Sequence, residues 1–409
     1  MYRRNYPDAP GAGSSMGDSH TRTTYRRNAT FCERIGQSLV GILVGLLLLG
    51  VASFLLFWNE GRAVQTAKSL EEGLNAVVPL DNIEVPFEHN NGKLVHLFGP
   101  LRTDKVLTDS TYNVVVNAVK LKRTVEMYQW VEHQSKREYN EGGQTRTETT
   151  YSYDLEWRSD LVRSQSFDNM VGHTNPTSMP VSSNLFEADQ VHVGNFELSK
   201  GLKDRITNFK KMSPTSVTPP SDPRIQLLDG VFYHSYNPLQ PQVGDLRLTF
   251  EYAGLSGQSV LGNPDIVSIV ARQIGNRLLN YQTIAGDSLE LLYMGRHSAK
   301  EIFGKEQQQN TMITWGVRFG GWLLMFVGFS CLTSIISTLV DWLPIIRDLV
   351  AAGVHVMNLA LSISLSLTVI AIGWIAYRPL LGIALLAMAA TPFIMTKFRS
   401  NSRERSRYV

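Results

Sequence analysis

The sequence predicts a multi-pass α-helical membrane protein with four spans and a large β-rich α+β lumenal domain between spans 1 and 2. The first observation is that four runs of 18 to 29 residues contain no Asp, Glu, Lys or Arg. A bilayer core is crossed by about 17–25 apolar residues in a helix, so each run is long enough to span it. The second is that a segment of about 260 residues with strand-like alternation separates the first two runs. The runs are residues 35–58, 319–340, 349–377 and 379–396.

The average composition hides these runs, since the 409 residues have a net charge of only +3 and a mean hydropathy of −0.09. The runs exclude a purely soluble protein, and the long polar insertion at 59–318 excludes a many-helix transporter. A cleaved signal peptide is the alternative interpretation of the first run. Signal peptides carry about 7–15 apolar residues close to the N-terminus. This run has 24 and follows 34 polar residues, which favours a retained anchor.

Basic residues predict the orientation, because Lys and Arg close to span ends stay on the cytosolic side. Those before the first run are Arg3, Arg4, Arg22, Arg26, Arg27 and Arg34. Those after the last run are Lys397, Arg399, Arg403, Arg405 and Arg407. We therefore expect a disordered basic cytosolic tail at 1–34, a second basic cytosolic tail at 397–409, and a lumenal domain at 59–318. The alternative for the last two runs is a single re-entrant unit.

Within the large domain the hydrophobic period is two, which is typical of strands. Two alternating runs flank Glu141-Gly142-Gly143 and predict a long antiparallel hairpin with one solvated face. Further strands are expected near 93–98, 246–252, 266–271 and 289–294. Helices are expected at 62–76, continuing the first span, at 198–209, and at 299–309, leading into the second span. The proline-rich stretch 214–223 predicts an internal boundary.

The two cysteines lie outside this domain, at Cys32 beside the first run and Cys331 inside the second. No disulfide framework therefore holds the domain together. Its sequence also has no Asn-x-Ser/Thr acceptor; that of Asn28 falls on the expected cytosolic side. Both features favour an endoplasmic reticulum or nuclear-envelope lumen over the cell surface. Cys32 is a candidate for palmitoylation, with an unmodified juxtamembrane thiol as the alternative.

The sequence contains no complete catalytic motif. Gly254-Leu255-Ser256-Gly257 resembles a nucleophile elbow only up to Gln258, where a glycine is required. The nine histidines show no pair at three- or four-residue spacing on which a metal site could form. We therefore expect no enzymatic activity, cofactor, metal, nucleic-acid partner or small-molecule substrate.

The apolar runs carry small and polar residues at helical spacing. Such residues let membrane helices approach closely, and buried polar groups must face protein because lipid cannot satisfy them. The candidates for helix packing or oligomerisation are Gly41, Gly45, Gly316, Gly320, Asn358, Ser362 and Ser366. Three interpretations stay open: packing within one four-helix bundle, self-association through the same faces, and an ion pathway. Because the first span is far in sequence from the others, we expect its glycine face to be free for a second copy.

Several segments together resemble the transmembrane protein 43 (LUMA) family. They include Asn59-Glu60-Gly61-Arg62 after the first run, Val125-Glu126-Met127-Tyr128-Gln129-Trp130-Val131-Glu132, Tyr252-Ala253-Gly254-Leu255-Ser256-Gly257 and Arg347-Asp348-Leu349-Val350. The similarity runs in order from about residue 32 to 396. It implies a non-enzymatic protein of the endoplasmic reticulum and inner nuclear membrane that self-associates and organises complexes with emerin and lamins.

The interpretation that follows is a homo-oligomeric membrane scaffold that maintains nuclear envelope structure. The alternatives are a channel or channel-regulating membrane subunit and a membrane-linked signalling adaptor, since immune signalling and support of junctional conductance are also attributed to the family. A lumenal enzyme has only the size of the domain in its favour.

Overall fold

The computed structural model describes residues 18–141, 143–212, 222–257, 261–340 and 344–379. The chain divides into two compact units. Unit 1 comprises Met1–Asn28, Leu101–Val191 and Ile206–Asp265, and unit 2 comprises Ala29–Pro100, His192–Arg205 and Ile266–Val409. Most of the predicted boundary 214–223 lies outside the described residues.

The described chain contains four α-helices and nineteen strands. The helices are α1 (Phe31–Ala76), α2 (Lys200–Asp204), α3 (Ala299–Val340) and α4 (Pro344–Tyr377). The strands are β1 (Asp18–Arg27), β2 (Val78–Pro79), β3 (Leu94–Thr103), β4 (Leu107–Asp109), β5 (Val114–Val116), β6 (Ala118–Glu141), β7 (Gln144–Arg158), β8 (Asn184–Glu187), β9 (Val191–Val193), β10 (Phe196–Leu198), β11 (Lys210–Met212), β12 (Ile225–Leu228), β13 (Val231–His234), β14 (Leu246–Leu255), β15 (Ile266–Ile274), β16 (Arg277–Leu279), β17 (Tyr281–Gln282), β18 (Ser288–Leu289) and β19 (Leu291–Met294).

Three helices of unit 2 are long and apolar enough to cross a membrane, over Glu33–Ala76, Ala299–Ile336 and Leu349–Tyr377. The expected fourth span, 379–396, lies outside the described residues except for Pro379. Helix α1 begins with a capping box: the Thr30 hydroxyl accepts from the amide of Glu33, whose carboxylate accepts from the amide of Thr30. As predicted, α1 continues without a break through 62–76, and α3 runs unbroken from Ala299 into its apolar segment.

Helices α1 and α3 pack along their whole length. Near one end the hydroxyls of Ser38 and Thr338 lie 3.0 Å apart, and in the middle Ala52, Leu56 and Met325 are fully buried. Towards the other end, Leu70 of α1 joins Ile302 and Phe303 of α3 in a hydrophobic core with strands of unit 2. The apolar segments therefore continue directly into the folded part of unit 2.

The sheet of unit 2 has seven strands in the order β19-β15-β16-β10-β9-β3-β2, and β15 also pairs with β3. Its strands match the expectations at 93–98, 266–271 and 289–294, with ends shifted by a few residues. The helix expected over 198–209 is shorter than predicted, because only Lys200–Asp204 is helical. Leu202 and Ile206 are nevertheless fully buried, so the apolar spacing indicated burial rather than a long helix.

The main sheet of unit 1 has the order β1-β7-β6-β14-β13-β12, with β11 on β14 and β8 on β6. The predicted hairpin is present as β6 and β7, which pair from Glu141↔Gln144 to Met127↔Arg158. In β6, residues from Leu121 to Val131 alternate between buried and half-buried, as a sheet with one solvated face requires. The buried face packs with Tyr112, Phe232 and Phe250 into the core of this unit.

The structure differs from the expected disordered tail over part of 1–34. Asp18–Arg27 is a strand that pairs antiparallel with β7 along its whole length. Its Thr and Tyr residues favour strands, and the outer edge of a hairpin as long as β6–β7 offers unpaired N–H and C=O groups that bind an extended segment. The segment has almost no aliphatic residues and therefore cannot form a hydrophobic core of its own. It can still pair with the edge of β7, because this pairing uses backbone hydrogen bonds and needs no core.

Candidate functional site

A buried ion pair joins α1 and α3 at the level where their apolar segments end. Glu60 comes two residues after the first apolar run, and Arg318 comes directly before the second. The antiparallel packing of the two helices brings these residues together. Arg318 donates through Nε to Oε1 of Glu60 at 2.7 Å and through Nη2 to Oε2 at 2.8 Å. The Glu60 side chain is 3 % exposed and the Arg318 side chain 14 %, so the pair is almost fully removed from solvent.

Helix α4 completes this junction. The indole N–H of Trp374 donates to Oε2 of Glu60 at 2.9 Å. The Arg318 guanidinium lies 4.8 Å from the ring centre of Trp315 and 5.7 Å from that of Trp374. A Cβ atom on Gly373 would come within 3.0 Å of the Glu60 side chain, so the glycine lets α4 approach this closely. One carboxylate thus connects three helices.

A second set of polar contacts joins α1 and α3 next to the ion pair. Asn59 is fully buried and donates to the carbonyl of Thr314 at 3.2 Å. Arg62 donates to the side-chain oxygens of Asn59, Thr314 and Asn310, at 3.3, 3.2 and 3.1 Å. Asn310 donates back to the carbonyl of Ala63 at 3.0 Å. These contacts fix the relative position of α1 and α3 by directional bonds, which apolar packing alone does not provide.

The chemistry of this polar junction (Asn59, Glu60, Arg62, Asn310, Thr314, Arg318 and Trp374) is structural. A buried charge is tolerated when it is paired and hydrogen-bonded, and Glu60 has three donors. A small cavity of about 180 Å³ lies beside it, lined among others by Glu60, Arg318 and Trp374. Among the described residues, no group of three or more His, Cys, Asp or Glu side chains is placed to hold a metal ion.

Unit 1 has a buried polar cluster of its own. Arg123 donates to the Asp109 carboxylate at 2.6 Å, and the Tyr112 hydroxyl lies 3.0 Å from Nε2 of His234. Burial raises the pKa of Tyr112 to about 12, partly offset by the charge of Arg123. Burial also lowers the pKa of His234 below its ordinary value. Both groups are therefore neutral near pH 7, and the cluster contributes to the core.

The predicted glycine pairs have different surroundings. A Cβ on Gly45 would lie 2.7 Å from the carbonyl oxygen of Gly328, and one on Gly41 would lie 3.4 Å from the Ser334 hydroxyl. The Gly41 and Gly45 face therefore packs on α3 of the same chain and is not free for a second copy, contrary to the expectation. Gly316 and Gly320 are exposed, and a Cβ on either would meet no described atom within 4 Å.

The polar stripe on α4 faces protein. Asn358, Ser362 and Ser366 are 1 %, 0 % and 4 % exposed. Asn358 donates to the Thr333 hydroxyl at 2.8 Å, which ties α4 to α3. The two serine hydroxyls each donate to a carbonyl of their own helix, three residues back, at 2.9 Å. These residues lie inside the helix bundle that the described residues form.

Other predicted positions lie beyond what the structure describes. Cys32 is in the first turn of α1, and its side chain is not among the described atoms. The basic tail Lys397, Arg399, Arg403, Arg405 and Arg407 lies outside the described residues. Both positions remain predictions.

Sequence reasoning did not single out the ion pair. A signal was present, since residues of opposite charge, Glu60 and Arg318, stand at the facing ends of two apolar runs. A charge next to a span is usually solvated in the headgroup region, so the pattern alone does not show that the two meet. Trp374 lies within an apolar run, and the sequence pattern does not distinguish it as a partner of Glu60.

Taken together, three helices able to span a membrane and a large β-rich domain inserted after the first of them define a membrane protein with a substantial extramembrane domain. A sequence model described as "Transmembrane protein 43" matches residues 127–379. The human and mouse proteins of that name are each 44 % identical over 391 residues, which cover 95 % of this chain and 97 % of theirs. The Drosophila melanogaster homolog is 37 % identical over 357 residues, covering 86 % and 93 %. The chain therefore belongs to the transmembrane protein 43 family. No solved structure matches it.

Proposed function

We propose that this protein is a non-enzymatic, self-associating scaffold of the endoplasmic reticulum and inner nuclear membrane, which maintains nuclear envelope structure. The polar junction carries this proposal. It joins α1, α3 and α4 by directional bonds where their apolar segments end, and α1 and α3 continue from it into the core of unit 2. Such an arrangement holds a membrane bundle and a folded domain as one rigid support, and its groups are all engaged in structural contacts. Emerin and lamins are the partners that we propose from the family resemblance.

The proposed topology places both termini in the cytosol or nucleoplasm and residues 59–318 in the lumen. The basic residues on both flanks of the apolar runs support it. A spanning α1 puts the residues before it and after it on opposite sides of the membrane. The β1–β7 pairing and a spanning α1 therefore exclude one another within one chain. We propose that β1 is released from β7 in the inserted protein, since polar strands with an open edge do not cross a bilayer.

Self-association is proposed to use the outer face of α3 at Gly316 and Gly320. These glycines are exposed beside Trp315 and Phe319, which are each 63 % exposed. Small residues four apart allow another helix to approach the backbone closely, and adjacent aromatic side chains supply contact area. The Gly41 and Gly45 face is already occupied by α3.

The test is crosslinking between two differently tagged full-length copies in microsomes. Replacing Gly316 and Gly320 together by leucine should lower crosslinking by about tenfold, because overpacking a close helix contact typically costs about 1–3 kcal/mol. Gly304→Leu is the matched control, since Gly304 is an exposed glycine of the same helix with no described atom near its Cβ position. If the parent chain does not crosslink, self-association is refuted. Equal crosslinking of the parent, the double variant and the control would exclude this face.

The channel alternative gains no support from the bundle. The polar stripe on which it depends is buried, and its serine hydroxyls bind their own helix. A signalling adaptor is not favoured by any particular contact of the described residues.

A further inference from the structure

An open cavity of about 480 Å³ lies between α1 and the end of α4. Its lining includes Trp58, Arg62 and Lys68 of α1 and Tyr377 of α4. The α1 residues share one stripe of the helix, because positions 58, 62 and 65 repeat at the helical period and Lys68 follows one turn later. The cavity is distinct from the small one beside Glu60, which is lined by other residues of α1, α3 and α4.

The shape of this cavity depends on a glycine. A Cβ atom on Gly61 would come within 2.6 Å of the Tyr377 ring, so only a glycine lets the ring lie against α1. The ring also contacts Phe57, one turn before Gly61 on α1, with ring centres 5.2 Å apart. Two α1 residues therefore fix Tyr377 in the lining, while Trp58, which also lines the cavity, is 50 % exposed.

The position of this cavity is interfacial if α1 and α4 cross the bilayer, on which this inference depends. Trp58 is the last residue of the first apolar run and Tyr377 the last of the third. Tryptophan and tyrosine concentrate at this level, where an apolar ring meets lipid chains and its polar group meets the headgroups. The basic residues Arg62 and Lys68 lie one to three turns beyond, at headgroup depth.

The lining of this cavity is basic, and the nearest carboxylate that contacts a lining residue is that of Asp287, which accepts from Nε2 of Gln65 at 2.7 Å. None of its lining residues is Asp or Glu. Arg62 donates only to Asn59, Asn310 and Thr314, which are neutral. Among the described residues, no carboxylate lies within ion-pair distance of Arg62 or Lys68. By contrast, Arg318 on the neighbouring helix is fully neutralised by Glu60. Two cations without a counter-ion at headgroup depth match the charge of a phosphate group.

We propose that this cavity binds the phosphate of an anionic phospholipid headgroup, with Lys68 as its cationic ligand and Trp58 and Tyr377 packing against the glycerol region. Arg62 keeps its bonds to Asn59, Asn310 and Thr314 and adds positive charge to the site. The lipid would anchor the junction of helices to the membrane surface. A soluble phosphate has the same charge but lacks the apolar part that the two aromatic side chains contact.

The test uses the purified full-length protein in detergent and native mass spectrometry to measure lipid retention. Phosphatidylserine, phosphatidylcholine, glycerol 3-phosphate and inorganic phosphate are compared as probes. We expect phosphatidylserine to be retained most tightly and the two soluble phosphates not to be retained. Lys68→Gln should weaken phosphatidylserine binding by about tenfold, the effect of losing one charge-assisted contact. The double variant Arg62→Gln, Lys68→Gln should abolish it, but it also removes the bonds of Arg62 in the polar junction, so Lys68→Gln is the decisive variant.

Lys300→Gln is the matched control, since Lys300 is an exposed lysine of α3 away from this cavity. It should retain phosphatidylserine like the parent. Within the described part of the chain, Lys68 has no hydrogen-bond partner, so its variant separates binding from folding. Equal retention by the parent and Lys68→Gln would overturn the proposal. Equal binding of inorganic phosphate and phosphatidylserine would overturn the lipid assignment. Neither result bears on self-association, which crosslinking measures separately.

Discussion

Breaking the Glu60–Arg318 pair should destabilise the protein strongly. In Arg318→Met, the Glu60 carboxylate keeps only the bond from Trp374 and loses its two bonds to the guanidinium. Its side chain is 3 % exposed, so water cannot replace the lost donors without local opening. Removing one partner of a buried ion pair costs about 3–5 kcal/mol. We expect a loss in this range, which is roughly a hundredfold to several thousandfold in the folded-to-unfolded ratio.

The measurement is chemical unfolding of the full-length protein in detergent micelles, followed by tryptophan fluorescence. Arg224→Gln is the control, because the Arg224–Asp222 pair is a 2.8 Å ion pair with side chains 62 % and 35 % exposed. Exposed pairs contribute about 0–1 kcal/mol. Adding Glu60→Gln to Arg318→Met should recover about 2 kcal/mol, since it removes the uncompensated charge. If Arg318→Met lowers the free energy of unfolding no more than Arg224→Gln does, the buried pair does not stabilise the protein as proposed.

Two further predictions concern helix packing and pH. Gly45→Leu should lower stability by about 1–3 kcal/mol, because its Cβ would lie 2.7 Å from the Gly328 carbonyl. Gly36→Leu is the control and should leave stability unchanged, because the space at its Cβ position is open. Equal melting temperatures of the two variants would contradict this packing. Burial holds the pKa of His234 below 6.5, so the unfolded chain binds more protons as the pH falls below that value. Stability should therefore fall between pH 7.5 and 5.5, and His234→Gln should show a shallower fall; an unchanged slope would be the contrary result. Burial lowers the pKa of His96 too, so the stability of His234→Gln should still depend on pH to a smaller extent.

Many helices and strands could be predicted from local sequence patterns. The apolar runs, the hairpin around Gly142–Gly143 and the strand near 246–252 are each specified by residues adjacent in sequence. Helices α1 and α3 could also be predicted beyond their apolar parts, since 62–76 and 299–309 are rich in good helix formers. The polar residues of α4 could be assigned to a buried face because lipid cannot satisfy Asn358.

Features that depend on long-range pairing could not be predicted. Gly41 and Gly45 indicate that another helix packs closely against α1. The sequence around them does not show that this helix is α3, which approaches at Gly328, nearly 300 residues later. The same holds for Glu60 and Arg318, and for the pairing of β1 with β7. The division into two units is equally non-local, because each unit is assembled from three separate stretches of the chain.

The central claim is that α1 spans the membrane with the large domain in the lumen, and glycosylation mapping tests it most directly. An Asn-x-Thr acceptor placed at the β6–β7 turn, next to Gly143, is introduced into the full-length protein expressed in cells. The natural acceptor at Asn28 serves as the internal comparison. We expect the acceptor at the turn to be glycosylated and Asn28 to stay unmodified. Glycosylation of Asn28 with an unmodified turn would show the inverted orientation, and modification of both would show that α1 does not cross the bilayer.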